Sequence, residues 1–154
     1  MSPPLELRVP LPGPVWGAYP ERREPPRARW PWGRAPYRSQ LQAVRAAGPG
    51  WRALSEVAFV ARVRAVQARI GRDGLSAARV VEALAAAVEA ARRSLGLAAY
   101  DGQIKAALVM LDCRLAEMAT GEGKTLSAAL AAAVGALAGM PVHVLTANDY
   151  LVER

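Results

Sequence analysis

Met118-Ala119-Thr120-Gly121-Glu122-Gly123-Lys124-Thr125 is a glycine-rich turn that ends on a cation and a hydroxyl, between two segments of different character. Cys113 to Met118 before it has the length and position of a short strand. An apolar helix is expected after it, from about Lys124 to Ala138 and closed by Gly139, and Val142 to Thr146 reads as a buried strand. Strand, loop, helix and strand make the first βαβ unit of a parallel sheet, so the expected fold class is α/β. The phosphate-loop pattern of Gly, four residues and Gly-Lys-Ser/Thr is met except that Met118 holds its first position. Gly121 and Gly123 let the backbone curl so that successive N–H groups face a β-phosphate, with a helix N-terminus behind them. Lys124 then reaches the β/γ oxygens and the Thr125 hydroxyl ligates Mg²⁺. Chance is a poor rival: with two lysines and three threonines in the chain, Gly-X-Gly-Lys-Thr arises by accident in roughly one such sequence in a few thousand.

Helical periodicity dominates the chain upstream. Ile104, Leu108 and Leu111 share a face over Asp101 to Leu111. Ser76 to Leu95 reads as a helix with Ser76 as N-cap, a stripe of Val80, Leu84, Val88, Ala91 and Leu95, and Gly96 at its end. Within Trp51 to Ile70 the stripe Phe59, Val63, Val66 and Ile70 predicts another helix, broken by Gly71-Arg72-Asp73-Gly74, so residues 51–96 read as a helical hairpin. Tyr37, Leu41 and Val44 predict a short helix that ends before Gly48-Pro49-Gly50. Asn148 or Asp149 is placed to cap a further helix after the second strand.

Residues 1–36 hold ten of the 12 prolines, with Arg22, Arg23, Arg27, Arg29 and Arg34 and the tryptophans Trp16, Trp30 and Trp32 among them. Proline at that density excludes regular elements. The segment reads as a disordered or polyproline-like leader, or as an interfacial contact for anionic lipid through Arg-Trp-Pro-Trp. The expected organisation is this leader, a helical segment over 37–95 and part of a nucleotide-binding domain over 96–154.

Composition sets outer limits. With 53% apolar and 21% charged residues, the chain suits a soluble globular protein of one core. Its net charge of +7 favours phosphate-bearing partners, although arginine and alanine are also what a GC-rich coding bias inflates. Cys113 is the sole cysteine, which excludes an internal disulfide and fits a reducing compartment. His143, the sole histidine, lies in the apolar run Val142-His143-Val144-Leu145 and reads as a satisfied strand residue rather than a ligand or base. The most apolar window, Leu126 to Ala138, is too short to span a bilayer.

Ala116 to Leu126, with Met118 opening Thr-Gly-Glu-Gly-Lys-Thr, resembles the phosphate loop of the SecA protein-secretion motors. Val142-His143-Val144-Leu145-Thr146-Ala147-Asn148-Asp149-Tyr150-Leu151 is similar to that family's next motif, where helicases carry a Pro-Thr-Arg-Glu-Leu type string. Tyr100-Asp101-Gly102-Gln103 resembles the family's Phe-Asp-Val-Gln, whose glutamine reads the adenine edge. By that match Gln103 is the base-reading residue, with Tyr100 and Leu97 as an apolar wall; Gly102 and Leu97 depart from the usual valine and methionine. Upstream of Gly96 only the helical layout and Leu54-Ser55-Glu56 resemble the family, and before Tyr37 nothing does. Tyr37 to Ala47 takes the place of the family's basic N-terminal helix, with only Arg38 and Arg45 as a thin basic face.

The resemblance implies ATP and Mg²⁺ as cofactors, held by Gln103, Gly121, Glu122, Gly123, Lys124 and Thr125, with Thr125 on the metal. It implies ATP-driven movement of unfolded preproteins through a membrane channel, by a cytoplasmic protein peripheral at the inner face of the cell membrane. The implied partners are the channel, preproteins and anionic lipid, and it leaves a homodimer of the full-length protein open. Nucleic acid is not expected. The 154 residues contain no complete catalytic set, because the acidic motif, the arginines and the second motor domain that such an ATPase requires are not among them. The chain therefore reads as a partial motor, inactive by itself. Two other readings stay open: a fragment of a superfamily-2 RNA or DNA helicase, and a non-catalytic module that binds nucleotide or membrane.

Overall fold

The computed structural model describes residues 37–145, which form α1 (Arg38–Arg52), α2 (Glu56–Asp73), α3 (Ala77–Leu95), α4 (Asp101–Leu111) and α5 (Lys124–Leu137). The leader over 1–36, Thr146 at the end of the second expected strand, and the helix expected after Asn148 or Asp149 lie outside the described residues.

α3 lies at the centre, packed against α1, α2 and α5, and α4 lies along α5. Its boundaries are those its sequence signals: the Ser76 hydroxyl accepts the Arg79 N–H, and Gly96 ends the helix in the left-handed region. The expected stripe is too narrow, however. Leu84 and Ala91 are buried and Val80 and Val88 half-buried, but Leu95 is exposed, and burial spreads round to Ala83, Ala85, Ala86 and Ala87. Three helices pack on α3, and alanine lets their backbones approach.

On α2 the expected face holds: Phe59, Val66 and Ile70 are buried, Val63 packs beside them, and Ser55 caps the helix by accepting the Ala58 N–H. The helix runs to Asp73, past the expected break, and stops at Gly74.

α1 corrects another expectation, because it continues through Gly48-Pro49-Gly50 to Arg52. An interior proline costs a helix about 3 kcal/mol. Against that, the helix places Trp51 in the core with no exposure, and burying an indole is worth about 4–6 kcal/mol by area, less about 1–3 kcal/mol for its buried N–H, which has no partner among the described residues. Trp51 meets Phe59 edge to face at 5.8 Å, and the Arg62 guanidinium lies 4.3 Å from its ring. A buried network ties this corner to α3. Glu89 accepts hydrogen bonds from Arg92 and Arg93. Arg93 also donates to the carbonyls of Trp51 and Leu54, pairs with Glu56, and lies over the Phe59 ring.

The expected parallel sheet is not formed among the described residues. Among the described residues there is no strand: residues 113–118 and 142–145 have no ladder partner, and Leu115, Val144 and Leu145 stand exposed. A helix satisfies its backbone within itself, whereas a strand needs a neighbour, and two isolated short segments supply too little pairing to hold one another. The chain after α5 folds back on that helix instead. Gly139, at φ 74°, permits a reversal in which its N–H reaches the Ala136 carbonyl and the Met140 N–H reaches Gly135. Val142 then packs so close to Gly135 that a β-carbon there would lie 2.9 Å from its Cγ2.

Candidate functional site

The loop between α4 and α5 leaves α4 at Asp112, which accepts the Tyr37 hydroxyl at 2.6 Å and Arg114 Nε at 2.7 Å. These bonds hold the Asp112 carboxyl below its ordinary range, the Tyr37 hydroxyl being the larger cause. The loop then closes round the peptide of Ala119. Its N–H is accepted by Glu122 Oε2 at 3.3 Å, and its carbonyl accepts both the Glu122 N–H at 3.4 Å and Lys124 Nζ at 2.8 Å. The glycine-rich turn is thus fastened by the two charged residues that flank Gly123.

Gly123 is the N-cap of α5 at φ 83° and ψ 43°, a left-handed conformation that L side chains resist. No side chain caps this helix, whereas α2 and α3 carry serine caps and α4 begins with Gln103 Oε1 accepting the Tyr100 N–H at 3.0 Å. The first-turn N–H groups of a helix carry partial positive charge, and here they stand beside the exposed Lys124 and Thr125.

Gln103 is 8% exposed. While its Oε1 caps α4, its Nε2 donates to the Glu122 carbonyl at 3.0 Å, across 19 residues of sequence. The structure therefore brings Gln103 together with Gly121, Glu122, Gly123, Lys124 and Thr125 at the start of α5. Tyr100 and Leu97, expected as an apolar wall, lie on the surface at 74% and 48% exposure.

Ser127 was not foreseen. It is 1% exposed, and its hydroxyl lies 3.2 Å from the Gly123 carbonyl and 3.4 Å from Met118 Sδ. The residue that departs from the phosphate-loop pattern, Met118, is anchored on the first turn of α5. The available signal was a hydroxyl on the buried face of an apolar helix, four residues after the glycine. His143 is exposed, and no cluster of His, Cys, Asp and Glu able to hold a metal occurs among the described residues. No described helix is long and apolar enough to cross a membrane.

A family model described as the SecA DEAD-like domain matches residues 31–154. The chain is 43% identical over 118 residues to the protein translocase subunit SecA of Thiobacillus denitrificans, covering 77% of this chain and 13% of that protein. To the subunit of Desulfovibrio desulfuricans it is 42% identical over 118 residues, 76% of this chain and 14% of that protein. To protein translocase subunit SecA 2 of Bordetella avium it is 49% identical over 94 residues, 61% of this chain and 14% of that protein. The chain spans about one seventh of the length of these relatives. With the glycine-rich turn, the glutamine beside it and a matched region running from residue 31 to residue 154, the chain belongs to the SecA DEAD-like domain family.

Proposed function

We propose that this chain is the nucleotide-binding segment of an ATP-driven protein translocase that moves unfolded preproteins through a membrane channel. The observation that carries the reading is the uncapped start of α5, ringed by Gly123, Lys124 and the Gln103 amide. The groups present fit a nucleotide polyphosphate. Lys124 lies beside first-turn N–H groups that no side chain caps, and Gly123 adds no side chain of its own, its free space being taken by the Gln103 amide. ATP with Mg²⁺ supplies the phosphoryl bond whose hydrolysis drives movement.

The chain's own residues bind and orient. Backbone N–H groups of the glycine-rich turn and the start of α5 would cradle phosphate oxygens, Lys124 would exchange the Ala119 carbonyl for them as a compact charge, as would the Glu122 N–H, and the Thr125 hydroxyl would hold the metal. Glu122 braces the turn through Ala119. Gln103 reads the adenine edge, which its amide can do only by exchanging its present partners. The acidic motif, the arginines and the second motor domain would come from the rest of the translocase, of which relatives carry much more. The channel, preproteins and anionic lipid are the partners, and the protein works in the cytoplasm at the inner face of the cell membrane.

Calorimetric titration of ATP with Mg²⁺ into the chain tests the site. Lys124→Ala is expected to weaken binding by at least about tenfold, the loss for a hydrogen bond to a charged group. Equal affinity in the two proteins would remove Lys124 from the site and the reading with it.

A further inference from the structure

We propose that the cavity between α1, α3 and the segment leading into α4 is a second anion site, which takes a small phosphate monoester. The phosphate would sit on an arginine rim and the short apolar group against Val88 and Ala98, which keep accessible surface beside it. None of the residues that line the cavity belongs to the glycine-rich turn.

Its volume is about 250 Å³, room for on the order of eight waters at about 30 Å³ each. That is less than the roughly 300–1,000 Å³ of sites for drug-sized ligands, so the occupant is small. Beneath Val88 and Ala98, Val44 and Ile104 belong to the core at 2% and 0% exposure.

The rim carries three arginines, Arg45, Arg52 and Arg92, against one carboxylate, Glu89. Both Glu89 oxygens are engaged by Arg92 and Arg93, so that carboxylate is already neutralised. Arg92 spends Nε and one terminal nitrogen on it, leaving the other terminal nitrogen. Arg45 spends the same two groups on Asp101 and the Ala99 carbonyl. Arg52 has no hydrogen bond or ion pair among the described residues. A guanidinium offers five N–H donors in a planar fork that matches phosphate oxygens in pairs. With Arg45 paired to Asp101 and Arg92 to Glu89, the rim's surplus positive charge is that of Arg52, and all three arginines keep spare donors, which favours a phosphate and disfavours a cation.

Gly48 keeps the space open. A β-carbon built on it meets nothing within 4 Å, although a helix interior favours almost any other residue over glycine. Pro49 follows it, and a residue with a β-carbon before a proline resists the helical conformation, so filling this position would close the cavity at some cost in backbone strain.

The test is calorimetric titration of phenyl phosphate into the chain carrying Lys124→Ala, which takes the cation of the glycine-rich turn out of competition and makes the outcome independent of the nucleotide reading. Saturable binding of one equivalent is expected. Adding Arg52→Gln, an exposed change that leaves every described contact in place, should weaken it by at least about tenfold. Adding Gly48→Leu should abolish it while circular dichroism shows the helix content unchanged. Absence of saturable binding in the Lys124→Ala chain overturns the proposal, and so does binding that Arg52→Gln leaves unchanged.

Discussion

A β-carbon on Gly123 would lie 2.1 Å from Nε2 of Gln103, so the amide fills the space that a side chain at the start of α5 would need. Gly123→Ala therefore meets two obstacles, this overlap and a left-handed backbone costing about 1–2 kcal/mol for an L residue. We expect the melting temperature to fall by at least several degrees and ATP affinity to fall with it, by scanning calorimetry and titration. A protein unchanged in both would mean that Gln103 swings aside freely.

Removing the amide tests the same contact from the other side. Gln103→Ala leaves the Tyr100 N–H and the Glu122 carbonyl without their partners, at about 0.5–1.5 kcal/mol for each bond lost. The unfolding free energy in urea should drop by about 1–3 kcal/mol. If Gln103 also reads the base, the variant should lose preference for ATP over GTP, which competition titration would register.

Glu89 sets an acid limit. Hydrogen bonding from Arg92, the largest cause, and then from Arg93 lowers its carboxyl from the ordinary 4.5 to about 2 against the opposing effect of burial. A carboxylate depressed on folding contributes stability that is fully present above its unfolded value and is lost as pH falls through its folded one. The urea midpoint should therefore decline between about pH 4.5 and pH 2. Glu89→Gln should flatten that decline and lower stability at pH 7, where two arginines lose their shared partner.

Pro49 is carried inside α1 for the sake of Trp51. Pro49→Ala restores a helical N–H and removes the ring, a gain of about 3 kcal/mol less roughly 0.4–1 kcal/mol of lost stiffness in the unfolded chain. Thermal unfolding should shift upward by several degrees. A decrease would mean that the proline ring itself is needed where α1 turns toward α2.

Much of the helical layout was legible, because caps and apolar spacing are local. Ser76, Gly96 and the run Asp101 to Leu111 give their elements without reference to the rest of the chain. α1 was misread at Pro49 because the opposing force, burial of Trp51 against Phe59, is tertiary. The two strands were misread because apolar composition signals burial, whereas a strand also requires a neighbour, and residues 113–118 and 142–145 have none. In the site, the glycine-rich turn is contiguous and easily seen. Gln103 came from resemblance, but its bond to the Glu122 carbonyl did not, since no spacing rule links a helix amide to a loop 19 residues on. Glu89 carries no local signal of burial, because two following arginines suit a solvated face as well as a buried pair.

The alanines of α3 invert the usual relation between plain composition and mutational tolerance. Ala83, Ala85, Ala86 and Ala87 are each 5% exposed or less, so the residues most easily taken for coding bias stand where three neighbouring helices come closest. Alanine-rich sequence is commonly treated as replaceable filler. Here any larger residue at Ala83, Ala86 or Ala87 must push a helix outward, at about 1–3 kcal/mol per site. In a deep mutational scan the least distinctive stretch of this chain should be among its most intolerant, while Leu95, conspicuous by side chain and exposed to solvent, should accept almost anything polar.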